Sequence, residues 1–142
     1  MEKINDKSVG VIPIFKTGEE IKVLLVRHAK GHWGFPKGHP EAEESELETA
    51  VRELAEETSL HELELVPGVR LEEVYDFEQG GKIYHKTVVY FLALVRGEPR
   101  VPAEFTQEII GLEALPPKLA LERMTYPEGR EILQAGLNAI IN

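Results

Sequence analysis

The sequence of 142 residues contains no cysteine, which excludes disulfide bonds and thiolate metal sites. It also contains no apolar run that approaches a membrane span, and its first ten residues lack the apolar core of a secretion signal. These absences predict a cytoplasmic protein with no membrane partner. Because 142 residues that are 42% hydrophobic can bury one core, we expect a single domain over residues 1–142.

Positive charge is scarce and unevenly placed. The chain has 16 Lys and Arg against 25 Asp and Glu, a formal net charge of -9, which disfavours binding to long nucleic acids. Residues 21–40 nevertheless hold four cations, three histidines and no acid, and residues 41–57 then hold eight glutamates. A basic segment that leads into an acidic one fits an anionic substrate carried on a metal ion. Two solvated surface charges are the alternative.

The acidic segment is predicted to form an amphipathic helix over Ser45–Ser59, opened by a capping box of Ser45 and Glu48. One stripe at helical spacing is expected to be buried, and it consists of Leu47, Ala50, Val51, Leu54 and Thr58. Three acids are expected on a flank away from that stripe, namely Glu53, Glu56 and Glu57. Carboxylates at this spacing repel each other, and a hard divalent cation between them would reverse that effect. A solvated acidic face is the alternative.

Strands with two short helices are predicted in the rest of the chain. Two hairpins are expected, Ser8–Phe15 with Ile21–His28, and Leu71–Gln79 with Lys82–Arg96 across Gly80-Gly81. Further strands are expected at Glu62–Val66 and Gln107–Leu112, and helices at Lys118–Arg123 and from Thr125 onwards. Gly10 is interpreted as a bulge rather than a close backbone approach.

The fixed positions in and around the acidic helix resemble the signature of the Nudix hydrolases. The pattern G-x5-E-x7-R-E-U-x-E-E-x-G-U is matched by Gly38, Glu44, Arg52, Glu53, Leu54, Glu56, Glu57 and Leu60. The one departure is Ser59, where the family has glycine. The resemblance implies an α/β fold, an α/β/α sandwich with a central mixed sheet. Because glycine permits a left-handed turn, Ser59 predicts a helix end distorted or extended by one residue, at about 1 kcal/mol.

Two other segments are similar to the asymmetrical diadenosine tetraphosphate hydrolases within that family. They are the run Trp33–His39 and the K-T-V then Y-F pattern of Lys86–Phe91. The resemblance implies a set of substrate-binding residues: His32, Lys37, Lys86, Tyr90 and Tyr126. The two lysines are expected at phosphate, and Tyr126 is expected to stack on a nucleobase. The alternatives are a solvent-exposed His32, a solvated Lys86, and a Tyr126 that staples the helix end.

The resemblance also implies a site for magnesium, with manganese as the alternative ion. Its expected ligands are three acids of the helix, Glu53, Glu56 and Glu57, and a fourth from a loop, Glu104. Arg52 is expected to orient Glu53, and the sequence leaves open which of Glu53, Glu57 or Glu104 acts as the base.

The predicted reaction is attack of water on diadenosine tetraphosphate to give ATP and AMP, with a dinucleoside polyphosphate or another nucleotide as the partner. Two alternatives within the family remain open, an RNA 5′ pyrophosphohydrolase and a nucleoside triphosphate cleaner. A non-catalytic nucleotide-binding module is the alternative from another functional class.

Overall fold

A long strand, β1 (Lys3–Thr17), runs through the middle of the sheet in the computed structural model, which describes residues 2–141. Six further strands follow, β2 (Glu20–His28), β3 (Trp33–Gly34), β4 (Lys37–Gly38), β5 (Glu62–Gln79), β6 (Lys82–Arg96) and β7 (Ile109–Leu115). The helices are α1 (Glu46–Thr58), α2 (Pro117–Arg123) and α3 (Pro127–Ile141), with a 3-10 turn at Ala103–Phe105. The predicted hairpins and helices are all present, with shifted ends.

The strands form one mixed sheet in the order β3-β2-β1-β6-β5, with β4 paired to β1 and β7 paired to β2. The pairing of β1 with β6 is parallel and extends from Lys3 to Ile14 of β1. The remaining pairings are antiparallel. The expected mixed sheet is therefore confirmed.

Both faces of the sheet are covered, and each helical layer has its own core. Helix α1 packs on one face, where the cluster includes Val9, Val11, Val89, Ala50 and Leu54. Helices α2 and α3 pack on the other, where the cluster includes Ile12, Leu92, Ala120, Leu133 and Leu137. Each fully buried aliphatic side chain contributes about 1.5–3 kcal/mol. This arrangement is the predicted α/β/α sandwich.

Strand ends differ from the sequence prediction where long-range pairing decides them. Strand β1 begins at Lys3 instead of Ser8, because its polar first residues pair with β6 from Ile83 onwards. The two predicted strands after the helix are one strand, β5, with an irregularity between Leu65 and Arg70. Local propensity cannot reveal this continuity, since it depends on both halves of the strand pairing with the same neighbour, β6, on either side of the irregularity.

Helix α1 is rotated relative to the predicted stripe. Leu47 and Val51 are 38% and 36% exposed, so their assignment to the buried face is wrong. Ala50, Leu54 and Thr58 are buried as predicted, and Thr49 and Glu57 are buried beside them. The rotation turns Glu57 inwards, towards the end of the sheet where the site lies. The capping box of Ser45 and Glu48 is present as predicted.

The end of α1 also differs from the prediction, because Ser59 adopts the left-handed conformation itself, with φ 64° and ψ 12°. Its backbone N–H donates to the Ala55 carbonyl, and its hydroxyl donates to the Arg100 carbonyl at 2.7 Å. The helix is neither distorted nor extended, since this hydrogen bond helps to offset the cost of a left-handed serine.

Within residues 2–141, no helix combines the length and the apolar character that crossing a membrane requires.

Candidate active site

Arg52 links the start of the acidic segment to the helix that follows it. Its Nε donates to Glu44 at 2.6 Å, and its Nη1 donates to Glu53 at 2.9 Å and to Glu56 at 3.1 Å. Its Nη2 donates to the His39 carbonyl at 2.9 Å. The same guanidinium lowers the pKa of Glu44 to about 2. Arg52 therefore holds two of the three helical acids in place, and Glu44 anchors Arg52.

Two glycines allow strand β4 to lie directly against its neighbours. A side-chain carbon at Gly38 would overlap the carboxylate of Glu53. A carbon at Gly10 would overlap the Pro36 carbonyl and the Lys37 side chain, so the interpretation of Gly10 as a bulge is wrong. These close approaches place Lys37 beside the acidic face of α1.

Glu57 is buried at the centre of this region, with only 5% of its surface exposed. Its Oε1 has no hydrogen-bond partner. Burial and the neighbouring carboxyl of Glu53 raise the pKa of Glu57 to about 9. Without a nearby cation the Glu57 carboxyl therefore stays protonated near neutral pH, and a positive charge beside its orphaned oxygen would favour the ionised form.

This donor set fits a divalent cation, because it offers only carboxylate oxygens, the ligands that hard ions take. Among residues 2–141, no three acids or histidines are already gathered as a metal cluster. Arg52 instead occupies one side of Glu53 and Glu56. Glu57, which Arg52 does not hold, is the acid with a free oxygen for an ion.

The acids of α1 and two lysines line one open groove of about 610 Å³. Lys86 is 5% exposed, and its Nζ donates to Ser8 Oγ at 2.6 Å and to Asp6 Oδ2 at 3.0 Å. Burial and the charge of Lys86 lower the pKa of Lys37. Two neighbouring lysines at a groove wall provide positive charge that attracts anions.

An aromatic pocket adjoins the groove, and Lys37 and His28 line both. The His32 ring stacks on His28 at 4.4 Å between centroids and lies 5.5 Å from the Tyr126 ring. Tyr126 is 54% exposed, whereas Tyr90 is 4% exposed and packs edge-on against Phe35. The pocket therefore has an exposed aromatic rim and a buried aromatic base.

Glu104 is the predicted metal ligand that the structure does not bring into the groove. It lies exposed in the 3-10 turn, and Phe105 and Glu108 line the groove instead. Its assignment as a metal ligand remains a prediction.

Two aromatic residues of the segment before α1 differ in burial, since Phe35 is 1% exposed while Trp33 is only partly buried. Trp33 lies between Arg27 and Arg123, whose guanidinium carbons are 6.0 Å and 5.1 Å from its ring.

Sequence reasoning missed several residues that line or support the groove, among them Asp6, Ser8, His28 and Glu108. Asp6 pairs with Lys86 across the parallel strands, and the sequence contains no local sign of that register.

For His28, burial and the charges of His32 and Lys37 lower the pKa to about 4, and its Nε2 has no hydrogen-bond partner. The cluster of three histidines in the basic segment was the available signal for His28.

Comparison with known proteins identifies relatives of this chain. The model of the NUDIX domain matches residues 5–136. The bis(5'-nucleosyl)-tetraphosphatase [asymmetrical] of Mus musculus is 35% identical over 120 residues, which are 82% of this chain and 78% of the mouse protein. The C. elegans Ap4A hydrolase, solved as a binary complex, superposes with a TM-score of 0.80 at 25% identity, over 96% of this chain and 97% of that one. The NUDIX domain of Shewanella oneidensis NrtR, solved with ADP ribose, has the same fold, with a TM-score of 0.73 at 18% identity over 97% of this chain and 89% of that one.

Proposed function

The chain belongs to the NUDIX family, and we propose that it hydrolyses dinucleoside polyphosphates, splitting diadenosine tetraphosphate asymmetrically into ATP and AMP. Two relatives with well-matched chains, the mouse tetraphosphatase and the C. elegans Ap4A hydrolase, support this substrate class.

The observation that carries the proposal is the continuity of the aromatic pocket with the charged groove. Lys37 and His28 line both spaces, so a nucleoside at the pocket leads directly to the groove that holds Lys86 and the acids of α1. A nucleoside followed by a polyphosphate chain has this same order of an aromatic group and negative charges. Tyr126, which is exposed, and His32, which is partly exposed, provide aromatic surface on which a nucleobase stacks.

The residues that would hold a divalent cation are Glu53, Glu56 and Glu57, with Glu104 as the fourth ligand predicted from sequence. Glu108, which lines the groove, is a further candidate. We propose magnesium, with manganese as the alternative. A bound ion of this kind lowers the pKa of water and neutralises phosphate charge.

Side chains of the protein position the substrate and neutralise its negative charge. Lys37 and Lys86 bind phosphate oxygens, and Asp6 and Ser8 fix the direction of the Lys86 ammonium. Arg52 orients the carboxylates of Glu53 and Glu56 through charge-assisted hydrogen bonds. A carboxylate of Glu53, Glu57 or Glu104 accepts the proton of the attacking water.

Product analysis in isotopically labelled water tests the proposal. The purified chain is incubated with magnesium and diadenosine tetraphosphate, and we expect ATP and AMP in equal amounts, with the label in one product. Glu57→Gln is expected to remove nearly all turnover while the fold persists.

A panel of competing substrates separates the alternatives. Faster cleavage of 5′-triphosphorylated RNA or of nucleoside triphosphates would overturn the assignment in favour of another NUDIX activity. Nucleotide binding without turnover, in magnesium and in manganese, would instead establish a non-catalytic module.

A further inference from the structure

An aromatic surface continues beyond the pocket on the same face of the β5–β6 hairpin. Phe77 and Tyr84 are direct partners across the two strands, and their rings stack with centroids 5.0 Å apart and planes within 8°. The Phe77 ring also lies 6.1 Å from the ring of Tyr75, which lines the aromatic pocket. The three rings thus form a row that leads away from the pocket.

Lys86 lies next to this row, at the level where the phosphate chain is expected. It is the cross-strand partner of Tyr75 and shares its face of β6 with Tyr84, two residues away, or roughly 7 Å along the strand. A substrate that contacts Lys86 through phosphate is therefore within reach of the Phe77–Tyr84 pair.

The Phe77–Tyr84 pair is not part of the hydrophobic core. Tyr75 packs against the core under α2 and α3, whereas Phe77 and Tyr84 belong to neither core cluster and are partly exposed. Flat aromatic surface next to a buried cation suits a ligand with a planar ring attached to phosphate.

We propose that the Phe77–Tyr84 pair is a second base-binding subsite, on which the distal nucleobase of a dinucleoside polyphosphate stacks. The first nucleoside occupies the pocket beside Tyr126, and the phosphates between them contact Lys37 and Lys86. The inference rests on the proposed function for its substrate class, and it adds a reason why a substrate with two bases is preferred to one with a single base.

Equilibrium binding without a divalent cation tests this subsite separately from catalysis. The Kd of diadenosine tetraphosphate and of adenosine 5′-tetraphosphate, which has one base, is measured by calorimetry for the full chain. We expect the wild type to bind the two-base compound more tightly. Tyr84→Ala is expected to weaken that binding about tenfold, the loss of one base stack, with less than a twofold change for the one-base compound.

Control variants distinguish the loss of base stacking from a loss of hairpin stability. Val74 is 54% exposed and points to the opposite face of β5, so Val74→Ala is expected to leave both Kd values unchanged. Tyr84→Phe keeps the ring and is expected to retain the preference. Phe77→Leu keeps an apolar side chain without a ring and replaces Tyr84→Ala if that variant does not fold.

Two results would overturn the subsite: a wild type that binds both compounds equally, or an alanine variant that weakens both equally. The proposed function has its own test in the release of ATP and AMP by the wild type. A chain that shows the Tyr84-dependent preference but cleaves nothing would retain the subsite and lose the proposed reaction.

Discussion

Replacement of Glu57 by glutamine is expected to stabilise the metal-free protein while it abolishes turnover. The pKa of Glu57 is raised from 4.5 to about 9 in the folded state by burial and by Glu53. The folded state therefore binds a proton that the unfolded state releases, and stability falls as the pH rises from 4.5 towards 9. Each pH unit in this window costs about 1.36 kcal/mol, so the wild type loses about 3 kcal/mol by pH 7. Glutamine is neutral at every pH in this range and avoids this loss.

Thermal unfolding in a chelator at pH 5 and pH 8 measures this effect. The same slope gives a loss of about 5 kcal/mol at pH 8. We therefore expect Glu57→Gln to melt about 10–20 °C above the wild type at pH 8, and close to the wild type at pH 5. Magnesium is expected to raise the melting temperature of the wild type much more than that of the variant. Glu64→Gln, in an exposed part of β5, serves as the control.

Two outcomes would contradict the reasoning about Glu57. One is a variant less stable than the wild type at pH 8 without metal, which would mean that the buried carboxyl already has a partner. The other is an equal magnesium effect in both proteins, which would place the ion away from Glu57.

Three further predictions follow from the local geometry. Ser59→Gly removes the cost of a left-handed serine and also its hydroxyl hydrogen bond, so chemical denaturation is expected to show a change below about 1 kcal/mol, with turnover retained. Gly38→Ala forces Glu53 out of place and is expected to lower kcat at least tenfold. Gly34→Ala is the control, because the nearest atom to the added carbon is 3.9 Å away, and calorimetry is expected to show a stable fold. The pKa of His28 is lowered to about 4 by burial, so the folded state loses stability as the pH falls from 6.5 to 4. His28→Leu is expected to reduce this loss, which urea titrations at pH 5 and pH 7 measure.

The sequence predicted the parts of the fold that depend on neighbouring residues. The capping box at Ser45 and the Gly80-Gly81 hairpin require only local chemistry, and both are present. The rotation of α1 could not be predicted from its stripe, because Leu47 and Val51 satisfy helical spacing without a partner surface above them. Only the packing of Ala50 and Leu54 against the sheet decides which face is buried.

In the candidate site, too, only the residues whose arrangement depends on local spacing could be predicted. Glu53, Glu56 and Glu57 could be proposed from their spacing on one helix. The support of Lys86 by Asp6 and Ser8 could not, because it depends on the register of two strands that are distant in the chain. The conformation of Ser59 was mispredicted because its hydroxyl bonds to the Arg100 carbonyl, 41 residues away.

The parallel pairing of β1 with β6 also determines when the sheet can be completed during synthesis of the chain. Asp6 and Lys86 are 80 positions apart, so the first strand leaves the ribosome long before its partner exists. Until then the buried ammonium site and every pairing of the sheet with β6 are missing, and closing so long a loop is slow. We therefore expect nascent chains that end before β6 to be inactive and prone to association, and the groove that contains Lys86 to form in one late step.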